Sequence, residues 1–274
     1  MMKYPTWLAA IIATVFTLLA SGTPAKADLQ FPLKSISPVI TPSGEYHLRL
    51  GASYNKGELL LFQTENKDRR VYELPSFNMA VGLSHNVELL LQYPLLLINQ
   101  NDKTQDYGSG DLKITAVFKF LRVRKIFPDF AFTLAMKLPN ASNEEEFGTD
   151  ETDLFLGIAA SRTIGPATLL INADFAILGD PSARNTQDDL FEYRAGLIYP
   201  IRESVSASLG LEGAETSRRT NDRRFIRGGI AFSWKKFLVD AGGALGLSEE
   251  SGDFQVAVGI TMMFGIESGP ASHP

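Results

Sequence analysis

From Gly44 to Phe264 the chain alternates apolar and polar positions with a period of two. In the stretch "DLKITAVFKFL", for example, Leu112, Ile114, Ala116, Phe118 and Phe120 fall on one parity and Lys113, Thr115, Val117 and Lys119 on the other. A period of two is the mark of a half-buried strand, because successive side chains leave a strand on opposite faces. The preceding "GSGD" could be taken for a phosphate-cradling glycine loop, but such a loop needs a third glycine where Lys113 stands and a helix after it. The alternation predicts twelve strands, near 45–55, 69–83, 87–97, 111–121, 129–138, 152–163, 167–178, 189–200, 205–216, 224–234, 238–248 and 253–265. Their connections alternate between tight ("SHN", "IGP", "IRES", "KKF") and mostly longer ones ("NQNDKTQDYGSG", "PNASNEEEFGTDE", "TSRRTND"). An even strand count with short turns at one end and long loops at the other is the pattern of a bacterial outer-membrane barrel.

Parity tests this independently, since a membrane barrel is apolar outside and polar inside. Leu169, Ile171, Phe175 and Ile177 oppose Asn172 and Asp174; Leu209 and Leu211 oppose Ser208 and Glu212; Val256, Val258 and Ile260 oppose Gln255 and Thr261. Leu90, Phe155 and Ile198 break the rule, either as packing inside the lumen or because registers slip there. Outward-parity aromatics gather at matching ends of alternate strands (Phe118 and Phe120, Tyr199, Phe232 and Trp234, Phe264) and predict a girdle at the periplasmic membrane surface. The fold expected is all-β: an antiparallel up-and-down transmembrane β-barrel of about twelve strands.

The ends of the sequence refine this picture. Lys3, the apolar run Leu8 to Ala20 and the small-residue site Ala25-x-Ala27 predict a cleaved signal peptide over 1–27, too short an apolar run to span a bilayer. Residues 28–43 carry Pro32, Pro38 and Pro42 and are expected to be a periplasmic lead-in or, alternatively, a plug inside the barrel. The barrel itself is expected over 44–266, and 267–274 reads as a periplasmic tail. The absence of cysteine excludes disulfides and lipoprotein acylation, and a net charge of −5 argues against nucleic acid.

With the strands placed, three short motifs stand out: "GSGD" opening a strand (Gly108 to Asp111), "KLP" closing the next (Lys137 to Pro139), and Gly148-Thr149-x-x-x-Asp153. Over roughly 107–181 this arrangement resembles the outer-membrane transporter family named for the MetA pathway of phenol degradation. The resemblance implies an outer-membrane barrel that passes small solutes, hydrophobic or aromatic ones among them, and it brings no catalytic residues.

Candidate chemistry lies on the inward parity: Arg49, Glu88, Gln92, Lys113, Lys119, Lys137, Asp153, Asn172, Asp174, Glu192, Arg194, Glu212, Arg227 and Asp240. Such charges belong in the lumen because facing lipid costs Lys or Arg about 2–4 kcal/mol at mid-depth. They form either a selective constriction or a network of ion pairs in a closed lumen. Arg218, Arg219, Arg223 and Arg224 are candidates for contact with lipid phosphate. The acidic loop Glu144 to Asp153 lacks calcium-loop spacing and reads as solvated. An acyl hydrolase would have to rest on His47, the only histidine within a strand, with no nameable partners. The expectation is therefore a non-enzymatic barrel without cofactor or metal. Its expected partners are outer-membrane lipid, lipopolysaccharide, a small solute and the barrel-assembly machinery. The alternatives are a closed structural or surface-interaction barrel and, behind it, a lipid hydrolase.

Overall fold

The computed structural model describes residues 33–57, 69–99, 106–120, 128–142, 147–179, 187–216 and 222–265. The expected signal peptide and tail, together with Arg218 and Arg219, lie outside the described residues. The strands are β1 (Glu45–Lys56), β2 (Arg70–Ser84), β3 (Val87–Asn99), β4 (Asp106–Ser109), β5 (Lys113–Lys119), β6 (Asp129–Lys137), β7 (Asp153–Ile164), β8 (Ala167–Gly179), β9 (Gln187–Arg202), β10 (Val205–Thr216), β11 (Arg223–Trp234), β12 (Phe237–Gly246) and β13 (Phe254–Gly265). Apart from β4 and β5, each pairs antiparallel with its neighbours in chain order, and β1 pairs with β13 from Glu45↔Gly265 to Lys56↔Phe254. The sheet is therefore a closed barrel without a free edge. β4 and β5 both pair with β3 and are two halves of one crossing, so thirteen segments make twelve crossings.

The break between β4 and β5 has a side-chain cause. Asn140 Oδ1 accepts the Leu112 N–H at 2.7 Å, and its Nδ2 donates to the Gly110 carbonyl at 3.1 Å. One amide thus takes over backbone groups the ladder would otherwise use. The glycines before the break serve close approach, not bending. A Cβ on Gly108 would lie 2.5 Å from the Phe147 ring, and one on Gly110 would lie 2.8 Å from Pro94.

We call the end holding Glu45 and Gly265 lower and the opposite end upper. Short turns join strands at the lower end, as at Gly165, whose φ of +59° suits a two-residue turn. Longer connections cross the upper end. The outer face is an apolar band, in which Leu50, Ile158, Ile171, Leu209, Leu211, Ile230 and Val258 are all exposed. No helix among the described residues is long and apolar enough to cross a membrane; the chain crosses as strands.

Aromatic side chains flank the band at both ends. Below, Tyr46 stacks on Phe264 at 4.9 Å, Trp234 on Phe237 at 6.2 Å, and Phe118 lies 6.4 Å from Phe132. Above, Tyr54 contacts Tyr72 at 4.9 Å and Phe254 at 5.7 Å, and Phe191 lies 6.1 Å from Tyr193. Rings sit here because their apolar faces meet hydrocarbon while their polar edges reach water.

Leu90 and Phe155, the parity breakers, face inward and are 6% and 8% exposed, which makes them packing within the lumen. Leu90 joins Val117, Ala131 and Ala159 in one cluster, and Phe155 joins Ala135, Ala176, Leu178 and Leu190 in another. Ile198 also lies on the inner parity, in register with Thr168 and Ser208.

Candidate functional site

The lumen has a floor, charged walls and a partly covered mouth, with a chamber of about 390 Å³ between them. The floor is made by residues 33–43. Asn172 grips Ile36 twice, accepting its N–H at 3.0 Å and donating to its carbonyl at 2.7 Å. The Thr41 N–H donates to the Glu88 carboxylate at 3.0 Å, and Ile36 and Ile40 pack against the Leu90 cluster. Leu33 lies over Gly196 and Gly210, where a Cβ would come within 2.7 and 3.0 Å of its side chain. At Gly82 a Cβ would meet the Pro42 carbonyl at 2.0 Å, so the segment can cross the inner face of β2 only at a glycine.

Four cations of the walls, Arg49, Arg227, Arg194 and Lys137, are paired with carboxylates. Arg49 reaches across β13 to Asp240 on β12 through two charge-assisted hydrogen bonds, Nε to Oδ2 at 3.0 Å and Nη2 to Oδ1 at 2.7 Å. This fork passes over Gly259, where a Cβ would sit 2.2 Å from the guanidinium, so the glycine leaves the room the arginine needs. Arg227 pairs with Glu212 and donates to Gln255 Oε1 at 2.8 Å. Arg194 joins Asp174 at 3.1 Å and Glu192 at 2.5 Å, and Asp174 also accepts from the Thr133 hydroxyl at 3.2 Å.

The fourth cation, Lys137, organises the mouth. Its ammonium contacts Asp153 at 2.7 Å, Asp111 at 3.2 Å and the Thr149 hydroxyl at 2.6 Å. Asp111 in turn accepts the Ala141 N–H and Asp153 the Gly179 N–H, both at 3.0 Å. The three motifs singled out in the sequence therefore converge on one ion cluster. That cluster fixes the connection between β6 and β7, whose Ala141 and Phe147 pack against Val71, Leu96 and Ile98 inside the upper rim.

All fourteen inward-parity candidates lie on the inner face, but they do not form one site. Glu88 binds the floor segment and Gln92 donates to Asn78 at 3.4 Å. Lys119 lies on the lumen parity at the lower end of β5. Lys113 sits 3.8 Å above the Phe155 ring. Of the arginine cluster, Arg223 shares the inner parity of Arg227, whereas Arg224 points outward at the upper rim and pairs with Glu215 at 3.1 Å. His47 faces the lumen floor, with its Nδ1 3.5 Å from the Thr41 hydroxyl. Among the described residues no group of three or more metal-ligating side chains converges. Parity reasoning missed Asn78 because a bulge between Glu73 and Ser76 shifts the phase of β2; Pro75 was the available signal.

Solved structures of membrane barrels share this fold. An outer-membrane channel from Pseudomonas putida F1 superposes with a TM-score of 0.64 at 14% identity, covering 82% of this chain and 97% of that one. The NanC porin gives 0.57 at 7% identity, covering 78% and 98%. The translocator domain of the autotransporter NalP from Neisseria meningitidis gives 0.52 at 13%, covering 95% and 99%. At these identities the likeness concerns the fold of outer-membrane barrels. No protein-family model matches the chain, that of the family named from the motifs included, and no curated protein matches it.

Proposed function

We propose that the protein is an outer-membrane channel through which small solutes pass by diffusion along a narrow, charged lumen. One observation carries the reading: a chamber of about 390 Å³, lined by paired charges and amides, lies inside a barrel with an apolar outer band. A fully packed lumen would have no reason to keep such a space, which falls at the small end of the ~300–1,000 Å³ typical of ligand sites. Residues 33–43 act on this reading as a plug that narrows the path below the chamber. The hydrophobic or aromatic solutes implied by the motif resemblance would find apolar contact at Ile36 and Leu90. On the outer surface, Arg224 is the arginine we assign to lipid phosphate.

Liposome swelling tests the proposal. Vesicles carrying the refolded barrel should swell in small uncharged solutes, at rates that fall steeply with solute size. Vesicles indistinguishable from protein-free controls for every solute would sink the channel reading and leave a closed, surface-interaction barrel in its place.

A further inference from the structure

Within that proposed chamber, Lys113 differs from its four cationic neighbours. Arg49, Lys137, Arg194 and Arg227 each hold a carboxylate within 3.2 Å. Among the described residues no carboxylate pairs with Lys113. Its contact is the face of Phe155, and Glu192, Asp174 and Asp153 act on it only through space. The strand register aggravates this, because Lys113 stands directly opposite Lys137, and like charges facing one another across a ladder destabilise it. Lys137 has two aspartates to offset its charge; Lys113 has a ring quadrupole.

The surroundings complete an anion site. Gln92 stands opposite Lys113 on the other side, and Asn78 opposite Gln92, so one lateral row runs Asn78, Gln92, Lys113, Lys137 across four strands. Gln92 and Asn78, joined to each other by the Gln92 Nε2–Asn78 Oδ1 hydrogen bond at 3.4 Å, line the same chamber as Lys113 and bring neutral donors to it, while Ile36 and Leu90 give it apolar wall. Lys34 adds a further cation, and the acids of the chamber surface are fewer than its bases: Glu73, Asp111 and Glu212 against six basic side chains. Of the remaining lumen carboxylates, Asp174, Glu192 and Asp240 are held by arginines, Asp153 by Lys137, and Glu88 by the Thr41 N–H of the floor segment.

We propose that the corner formed by Asn78, Gln92 and Lys113 is a binding subsite for a small organic monocarboxylate. Its carboxylate meets the Lys113 ammonium and the amide donors, and its apolar part lies toward Leu90 and Ile36. An ammonium with no carboxylate in direct contact favours an anion, and the apolar wall favours an organic over an inorganic one. The subsite rests on the same chamber as the channel reading but asks only for binding.

The test is calorimetric titration of the detergent-folded barrel with benzoate, with benzamide as its neutral isostere and chloride as the inorganic control. Benzoate should bind at least tenfold more tightly than benzamide or chloride. Lys113→Met should weaken it at least tenfold and Gln92→Leu severalfold, whereas Lys113→Arg should stay within about threefold of the parent. Heat-modified gel migration reports whether each variant is folded. Should Lys113→Met fail to fold, the Arg variant and the benzamide comparison still decide. Equal binding of benzoate and benzamide, or benzoate binding indifferent to Lys113→Met, overturns the proposal. A barrel that binds benzoate yet passes no solute loses the channel reading alone, and a conducting barrel that does not bind benzoate loses this one alone.

Discussion

Replacing Lys137 by methionine removes the one cation between Asp111 and Asp153 while keeping most of the side-chain volume. Both carboxylates are nearly enclosed, with side-chain exposures of 7% and 3%, so neither can recruit bulk water once the ammonium is gone. Hydrogen bonds to charged groups contribute ~1.5–3 kcal/mol each, and stripping one partner from a buried pair costs ~3–5 kcal/mol because the other is left uncompensated. Lys137 is itself 17% exposed, and the aspartates keep their backbone donors from Ala141 and Gly179, so the lower part of that range applies: ~3 kcal/mol. Neutralising the whole cluster as Asp111→Asn, Lys137→Met and Asp153→Asn should recover most of the loss. Asparagine still accepts through Oδ1, no charge remains buried, and the triple variant should lie within ~1 kcal/mol of the parent. Urea unfolding of the barrel in lipid vesicles, followed by tryptophan fluorescence, gives these differences directly. A Lys137→Met cost below ~1 kcal/mol, or a triple variant no more stable than the single one, would refute the claim that this cluster fixes the mouth.

Asp240→Ala removes both charge-assisted hydrogen bonds from the Arg49 guanidinium, which is 7% exposed, and should cost ~3–5 kcal/mol in the same assay, while Arg49→Met combined with Asp240→Leu should cost far less. Gly259→Ala drives a methyl group into that guanidinium and should lose stability only while Arg49 is present, a dependence that a double-mutant cycle reads. Asn172→Leu removes both hydrogen bonds to Ile36 and should raise single-channel conductance by loosening the floor; unchanged conductance would contradict the role given to residues 33–43. Leu209→Arg on the lipid face should cost ~2–4 kcal/mol if that position lies near the bilayer midplane, and a neutral result would place the membrane elsewhere on the barrel.

The architecture was legible because a membrane barrel writes itself in a period of two. Lipid fixes the outward parity, as at Leu169, Ile171 and Phe175, and leaves the inward one free for Asn172 and Asp174. The site was legible only as a set of inward residues. Which of them meet depends on closure of the sheet: Arg49 and Asp240 are 191 positions apart and touch because β13 returns beside β1. The convergence of Asp111, Lys137 and Asp153 was hidden for a related reason, since each motif looks local until Lys137 stands in register with Asp153. The seating of residues 33–43 against the inner wall was harder still, because a short stretch with Pro38 and Pro42 fits a lead-in as well as a plug. The contacts that seat the segment, Thr41 with Glu88 and Ile36 with Asn172, carry no sequence signal of their own.

Current through planar lipid bilayers holding the refolded barrel, compared with a form lacking residues 28–43, tests the central claim most directly. The account predicts small discrete steps for the full chain, larger steps once the floor segment is removed, and a reversal potential in a salt gradient that shifts when Lys113 is replaced by methionine. Silent bilayers for both forms would contradict it.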